Sequence, residues 1–87
     1  MDLSDLRCKI DEIDYELVRL FCERMRISGE IAHYKSRNGL EIFDPERELA
    51  KLSDIKRNAE HDFHGYIEEL YARVFELSRE YQAKSWL

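Results

Sequence analysis

Apolar residues recur through the first part of the chain at alternating steps of three and four: Leu3, Leu6, Ile10, Ile13, Leu17 and Leu20, continued by Ile27, Ile31 and Tyr34. That spacing is one face of an α-helix with a heptad-like seam. It predicts a helix starting near Ser4 or Asp5 and lasting to about Arg37. Asn38-Gly39 ends it, the glycine being suited to a left-handed position. Gly29 within it costs about 1 kcal/mol relative to alanine, too little to break so long a helix, and is a candidate for close packing. A second helix is predicted to open at Asp44-Pro45. Asp44 can cap the first free amides, Pro45 fits the first helical position, and Glu46 sits favourably in the first turn. Its inner stripe reads Glu48, Leu52, Ile55 and Ala59, and it fades between Asn58 and His61. A third helix carries Phe63, Ile67, Leu70, Tyr71, Val74, Phe75 and Tyr81 and ends near Lys84. No β-branched alternating run is present, so no sheet is expected, and residues 40–43 read as a connector.

The expectation is therefore an all-α fold: one domain, residues 1–87, of three helices with a very long first helix. Length adds a constraint. A first helix of roughly 33 residues is about 50 Å long, and companions of roughly 16 and 22 residues cannot cover it. A second copy of the chain is the simplest cover, which predicts a homodimer built on paired long helices, with twofold symmetry.

Four residues break the apolar faces in the same sense. The first seam calls for an apolar residue at 24 and has Arg24; Glu48 heads the second stripe; Ser78 and Gln82, one turn apart, continue the line of Ile67, Tyr71 and Val74. Buried alone, each would be destabilising. Taken singly, they read as an internal network, with Arg24 paired to Glu48 and Gln82 bonded nearby. Taken together, four polar groups pointing inward from three helices read as the lining of one cavity. Lys35 lies eleven residues beyond Arg24, about 20° off the same face and about 16 Å along it, so it brings a second cation to the site. Arg47 adjoins Glu48 and reaches the same mouth. Arg7 is seventeen residues before Arg24, roughly 25 Å away, too far to share a small ligand within one chain. In an antiparallel or crossed dimer, the partner's Arg7 could do so.

Composition narrows the field. With 44% hydrophobic and 38% charged residues, one proline and three glycines, the chain is foldable, helix-favouring material. The formal charge of −5 argues against a nucleic-acid footprint, so a cation-rich lining in an acidic chain points to a small anion held locally. No run of apolar residues is long enough to span a membrane, and the acidic, amphipathic N-terminus does not fit a secretory signal. Cys8 and Cys22 lie fourteen apart in one helical pattern and cannot pair within it, and two free thiols suit a reducing cytoplasm. His61, Asp62 and His64 could suggest a metal but read better as an exposed linker cluster. There is no glycine-rich phosphate loop, no Cys–His metal spacing and no nucleophile–base set, so neither a cofactor nor a covalent step is called for. The residues themselves leave electrostatic catalysis and simple binding equally open.

The stretches LRCKIDEIDYELVRLFCERMRISGEIAHYK, DPERE and SREYQ, in this order and spacing from Leu6 to Gln82, resemble the all-helical chorismate mutases of the AroQ type. The resemblance implies an intertwined homodimer with two equivalent sites. It also implies roles. Arg7 would be sent into the site by the partner subunit, and Arg24 would hold a substrate carboxylate. Lys35 would meet a carboxylate and the ether oxygen. The backbone of Asp44 would help bind the substrate hydroxyl, with Arg47 supporting the arrangement and Glu48 taking that hydroxyl. Ser78 would face a carboxylate, and Gln82 would donate to the ether oxygen. The implied reaction is chorismate to prephenate, on the route to phenylalanine and tyrosine. Two rivals stand beside it: a related isochorismate pyruvate lyase, disfavoured by the joint presence of Asp44 and Glu48, and a non-catalytic helical dimerisation or regulatory module, disfavoured by an unbroken set of polar positions.

Overall fold

A computed structural model describes residues 1–86 as three α-helices: α1 (Leu3–Arg37), α2 (Pro45–Arg57) and α3 (His64–Lys84), with a single 3-10 turn at His61–Phe63 leading into α3. The helix boundaries follow local chemistry. α1 begins one residue earlier than the Ser4/Asp5 expectation because Asp2, not Ser4, caps it. The Asp2 carboxylate accepts from the Asp5 amide at 2.9 Å, and the Asp5 carboxylate accepts from the Asp2 amide at 3.3 Å. This reciprocal pair is a capping box with aspartate in the place usually held by a glutamate. At the other end the helix stops at Asn38, and Gly39 adopts a φ of 65°, the left-handed conformation that glycine reaches without a steric cost. α2 opens as its sequence requires, the Asp44 side chain accepting from the Arg47 amide at 3.1 Å with Pro45 in the first turn.

Among the described residues, α1 packs on α3 through its C-terminal half. Arg24 meets Phe75, Ser28 meets Ser78 and Gln82, and Gly29 meets Tyr81, so the contacts advance along both helices in the same direction. Gly29 marks the closest approach: a Cβ built there would stand 3.1 Å from the Tyr81 ring. α2 lies across the mouth of this pair with Glu48, Leu52 and Ile55 half-buried, and Lys56 ion-pairs with Glu68 of α3. On α3 the buried line is Val74, Ser78 and Gln82, flanked by Phe75. At the C-terminus, Ser85 ends α3, its amide donating to the carbonyls of Tyr81 and Gln82. Trp86 follows it half-exposed, and Leu87 lies outside the described residues.

The molecule measures 54 × 24 × 16 Å, its long dimension set by α1. Among the described residues no intrachain partner covers the seam over the N-terminal half of α1: Leu6, Ile10, Ile13, Leu17 and Leu20 are between 47% and 59% exposed. Among the described residues the buried apolar side chains are Ala32, Val74 and Phe75, joined by the polar Ser28, Ser78 and Gln82.

Candidate functional site

The face where α1, α2 and α3 meet is hollow. A cleft of about 430 Å³ is lined by residues of all three helices and of the connector before α2. Arg24, Ser28 and Lys35 come from α1 at helical spacing along one stripe; Asp44, Arg47 and Glu48 come from the start of α2; Ser78, Arg79 and Gln82 come from α3. Arg24, Lys35, Arg47, Lys51 and Arg79 face Asp44 and Glu48 across it, so the lining is net positive although the chain as a whole carries −5. Such a space admits a small anion of high charge and disfavours a neutral guest.

Three of these cations are held in place. The Arg24 guanidinium lies over the Phe75 ring, 5.8 Å from its centroid, an arrangement that orients the planar fork without occupying its N–H donors. Lys35 donates from Nζ to the Ile42 carbonyl at 2.8 Å, tying the connector to α1. An ammonium has three donors, so this bond leaves two for a ligand. Arg79 lies over Phe43, 4.9 Å from the ring centroid, and donates to Glu48 Oε2 at 2.5 Å. The Arg24–Glu48 pair expected from the sequence is therefore not the one formed: Arg79 takes Glu48, and Arg24 stacks on Phe75. The long Arg79 side chain reaches from α3 to the head of α2 and takes the carboxylate there.

The floor of the cleft is a hydrogen-bonded triad. Ser28 Oγ and Ser78 Oγ are 2.5 Å apart, and Gln82 Nε2 donates to Ser28 Oγ at 2.9 Å. All three side chains are buried, and Gln82 Oε1 has no hydrogen-bond partner among the described residues.

Residues 6–83 match the protein family described as chorismate mutase type II. The chain belongs to that family. Among relatives, it is 32% identical over 75 residues to a protein named chorismate mutase from Methanocaldococcus jannaschii, an alignment covering 86% of this chain and 74% of that one. It is 41% identical over 58 residues to the T-protein of Haemophilus influenzae, and 45% identical over 56 residues to a bifunctional chorismate mutase/prephenate dehydratase of Aquifex aeolicus. The alignments cover 67% and 64% of this chain but only 15% and 16% of those two longer proteins. No solved structure gives a significant match.

The cleft brings together seven residues singled out from this family's pattern: Arg24, Lys35, Asp44, Arg47, Glu48, Ser78 and Gln82. Arg7 is not with them. It sits on the exposed N-terminal half of α1 and does not line the cleft of its own chain. Of the other candidates, His64 uses ring Nε2 on the Ala59 carbonyl at 3.1 Å and lies beside the His61 ring, away from the cleft. Cys8 and Cys22 are exposed on α1 and free. No helix among the described residues is long and apolar enough to cross a membrane. Sequence reasoning missed Ser28 and Arg79. Ser28 carried a signal, being one helical turn beyond Arg24 on the same stripe; Arg79 carried none, since its Cα lies about 100° round α3 from Ser78.

Proposed function

We propose that this chain is a chorismate mutase domain, residues 1–87, that rearranges chorismate to prephenate as a homodimer in the cytoplasm. The single observation that carries this reading is the cleft: three helices converge cations and amide and hydroxyl groups on a space of about 430 Å³, and no nucleophile–base pair lies among them. Chorismate is a small dianion, and its conversion breaks one C–O bond while forming one C–C bond. No proton needs to move, so preorganisation and electrostatics suffice and no cofactor is required.

In this reading Arg24 and the hydroxyl of Ser78 hold carboxylate, while Glu48, beside the Asp44 backbone and supported by Arg47, takes the ring hydroxyl. Lys35 and Gln82 donate to the ether oxygen, on which negative charge grows as the C–O bond lengthens. Donors already aimed at that atom stabilise the transition state more than the ground state, whereas the arginines bind both alike and contribute affinity and orientation. The partner's Arg7 completes the anion site. The exposed seam of Leu6, Ile10, Ile13, Leu17 and Leu20 supports an intertwined pair, because a chain with so little apolar burial of its own needs a second copy to cover it. The exposed thiols of Cys8 and Cys22 suit a reducing compartment.

The test is to incubate the purified chain with chorismate, follow loss of the ring-diene absorbance and appearance of prephenate, and measure its mass in solution. Turnover by a dimer is expected. Stable chorismate would overturn the activity, and conversion of isochorismate to salicylate and pyruvate without mutase turnover would assign the lyase reaction instead. A monomer with full turnover would remove the role given to Arg7.

A further inference from the structure

Ser28 has no place in the roles above, yet it is the most enclosed polar side chain of the cleft, 3% exposed. It joins two groups that have roles. Its Oγ is 2.5 Å from Ser78 Oγ and accepts from Gln82 Nε2 at 2.9 Å, while Ser78 Oγ is 3.5 Å from the same nitrogen. Because Gln82 Oε1 is buried without a partner, the amide is held through its nitrogen, and mainly by Ser28. We propose that Ser28 is a positioning residue that couples carboxylate binding at Ser78 to the orientation of the Gln82 amide.

The argument is one of proton counting, and it rests on the mutase reading. A hydroxyl has one hydrogen to donate. When Ser78 donates its hydrogen to a substrate carboxylate, the short bond between the two hydroxyls must run from Ser28 to Ser78. The Ser28 oxygen is then an acceptor only, and the group it faces must be a donor. That requirement selects Gln82 Nε2 over Oε1 at this contact. The NH2 group has two hydrogens, so the one not given to Ser28 remains for the ether oxygen. With the amide turned over, Ser28 would have to donate to Oε1, and Ser78 would have to donate to Ser28 and lose its bond to the carboxylate. Anion binding at one end of the triad thus fixes which end of the amide is presented at the other, in a buried site where neighbouring water cannot substitute.

The experiment is steady-state kinetics of Ser28→Ala, alone and combined with Gln82→Ala, beside Ser28→Thr and a melting curve for each. Ser28→Ala is expected to lower kcat about tenfold or more, the scale of a misdirected donor, with a much smaller change in KM and a modest drop in melting temperature. Ser28→Thr, which retains the hydroxyl, is expected to recover part of the loss. In the Gln82→Ala background the same change is expected to do almost nothing, since the amide it orients is gone. Full kcat in Ser28→Ala would overturn the proposal, as would an equal fractional loss with and without Gln82. Should Ser28→Ala not fold, Ser28→Cys keeps the volume with a much weaker acceptor and is expected to show the same loss of kcat; failure of both to fold makes Ser28 structural and overturns the proposal. Absence of turnover in the unsubstituted chain refutes the mutase reading itself, so the two failures are told apart by the first assay.

Discussion

Mixing two inactive variants tests whether the site is shared between chains. Arg24 lines the cleft and Arg7 does not, and the seventeen residues between them on a continuous α1 correspond to about 25 Å. A small dianion cannot bridge that distance, so any contact of Arg7 with it must come from a second copy. Removing either guanidinium loses a charge-assisted contact of about 1.5–3 kcal/mol, and Arg7→Ala and Arg24→Ala homodimers are each expected to fall at least about tenfold in kcat/KM. In a heterodimer of the two, one cleft combines Arg24 of the first chain with Arg7 of the second and is complete. The other cleft lacks both. Random pairing makes about half of the dimers mixed, each with one complete site, so about a quarter of wild-type activity should return.

The two chains should be unfolded together in denaturant and refolded as a mixture, with each variant refolded alone as control, because paired long helices will exchange slowly. Chorismate turnover is then compared at equal total chain concentration. Recovery well above both controls, approaching a quarter of wild type, supports the shared site. Activity no higher than the average of the two controls would refute it, provided the mass of the mixture shows dimers. An Arg7→Ala chain with full activity would refute it more simply.

Other outcomes follow from the same geometry. In the proposed mechanism both groups act on developing charge, so Gln82→Ala and Lys35→Ala are each expected to lower kcat about a hundredfold or more, far beyond their effect on stability; parallel losses of rate and stability would contradict this. Gly29→Ala gains up to about 1 kcal/mol of helix propensity, and its new Cβ meets the edge of the half-exposed Tyr81 ring at 3.1 Å and Ser85 Oγ at an ordinary 3.7 Å, so urea titration should show a modest gain; a loss would mean the ring cannot give way. The hydrogen bond and charge of Lys56 hold the Glu68 carboxyl below its ordinary value. A carboxylate depressed in the folded state stabilises above its unfolded value and loses that contribution as pH falls through the folded one. Glu68→Gln should therefore lower the melting temperature slightly at pH 7, with the difference vanishing in the acid range below the ordinary carboxylate value; a gap that widens on acidification would reverse the sign.

The helices were legible because their signals are local. Asp44-Pro45, Asn38-Gly39 and the three-four spacing of leucines and isoleucines each act within one or two turns, and α2 and α3 begin and end close to where those signals fall. The cleft residues were legible for a related reason: Arg24, Glu48, Ser78 and Gln82 contradict the period of their own helices, and a contradiction of period is visible without knowing what lies opposite. What lies opposite was not visible. The choice of Arg79 over Arg24 as the partner of Glu48 depends on how α3 sits against the head of α2, a tertiary distance no spacing encodes. Ser28 fell between these cases. It lies on the Arg24 stripe, but serine is small enough to pass as helix filler until Ser78 and Gln82 are seen packed on it.

The burial pattern also explains why so short a chain has so long a first helix. The contact between α1 and α3 is the main packing surface within one chain, and half of what it buries is polar: Ser28, Ser78 and Gln82 beside Ala32, Val74 and Phe75. A hydrogen bond in such a triad contributes about 1 kcal/mol net, far less than ordering the residues that form it costs. The C-terminal half of α1 is thus given over to the cleft, and the apolar burial that holds the fold must come from elsewhere. A long apolar surface is left on the N-terminal half of the same helix, where Leu6, Ile10, Ile13, Leu17 and Leu20 stand exposed along the seam that carries Arg7 nearby. In the proposed dimer that half supplies both the burial and the missing arginine. In that proposal, covering the seam would bring the partner's Arg7 with it, so that the event stabilising the chain would also be the one completing its anion site.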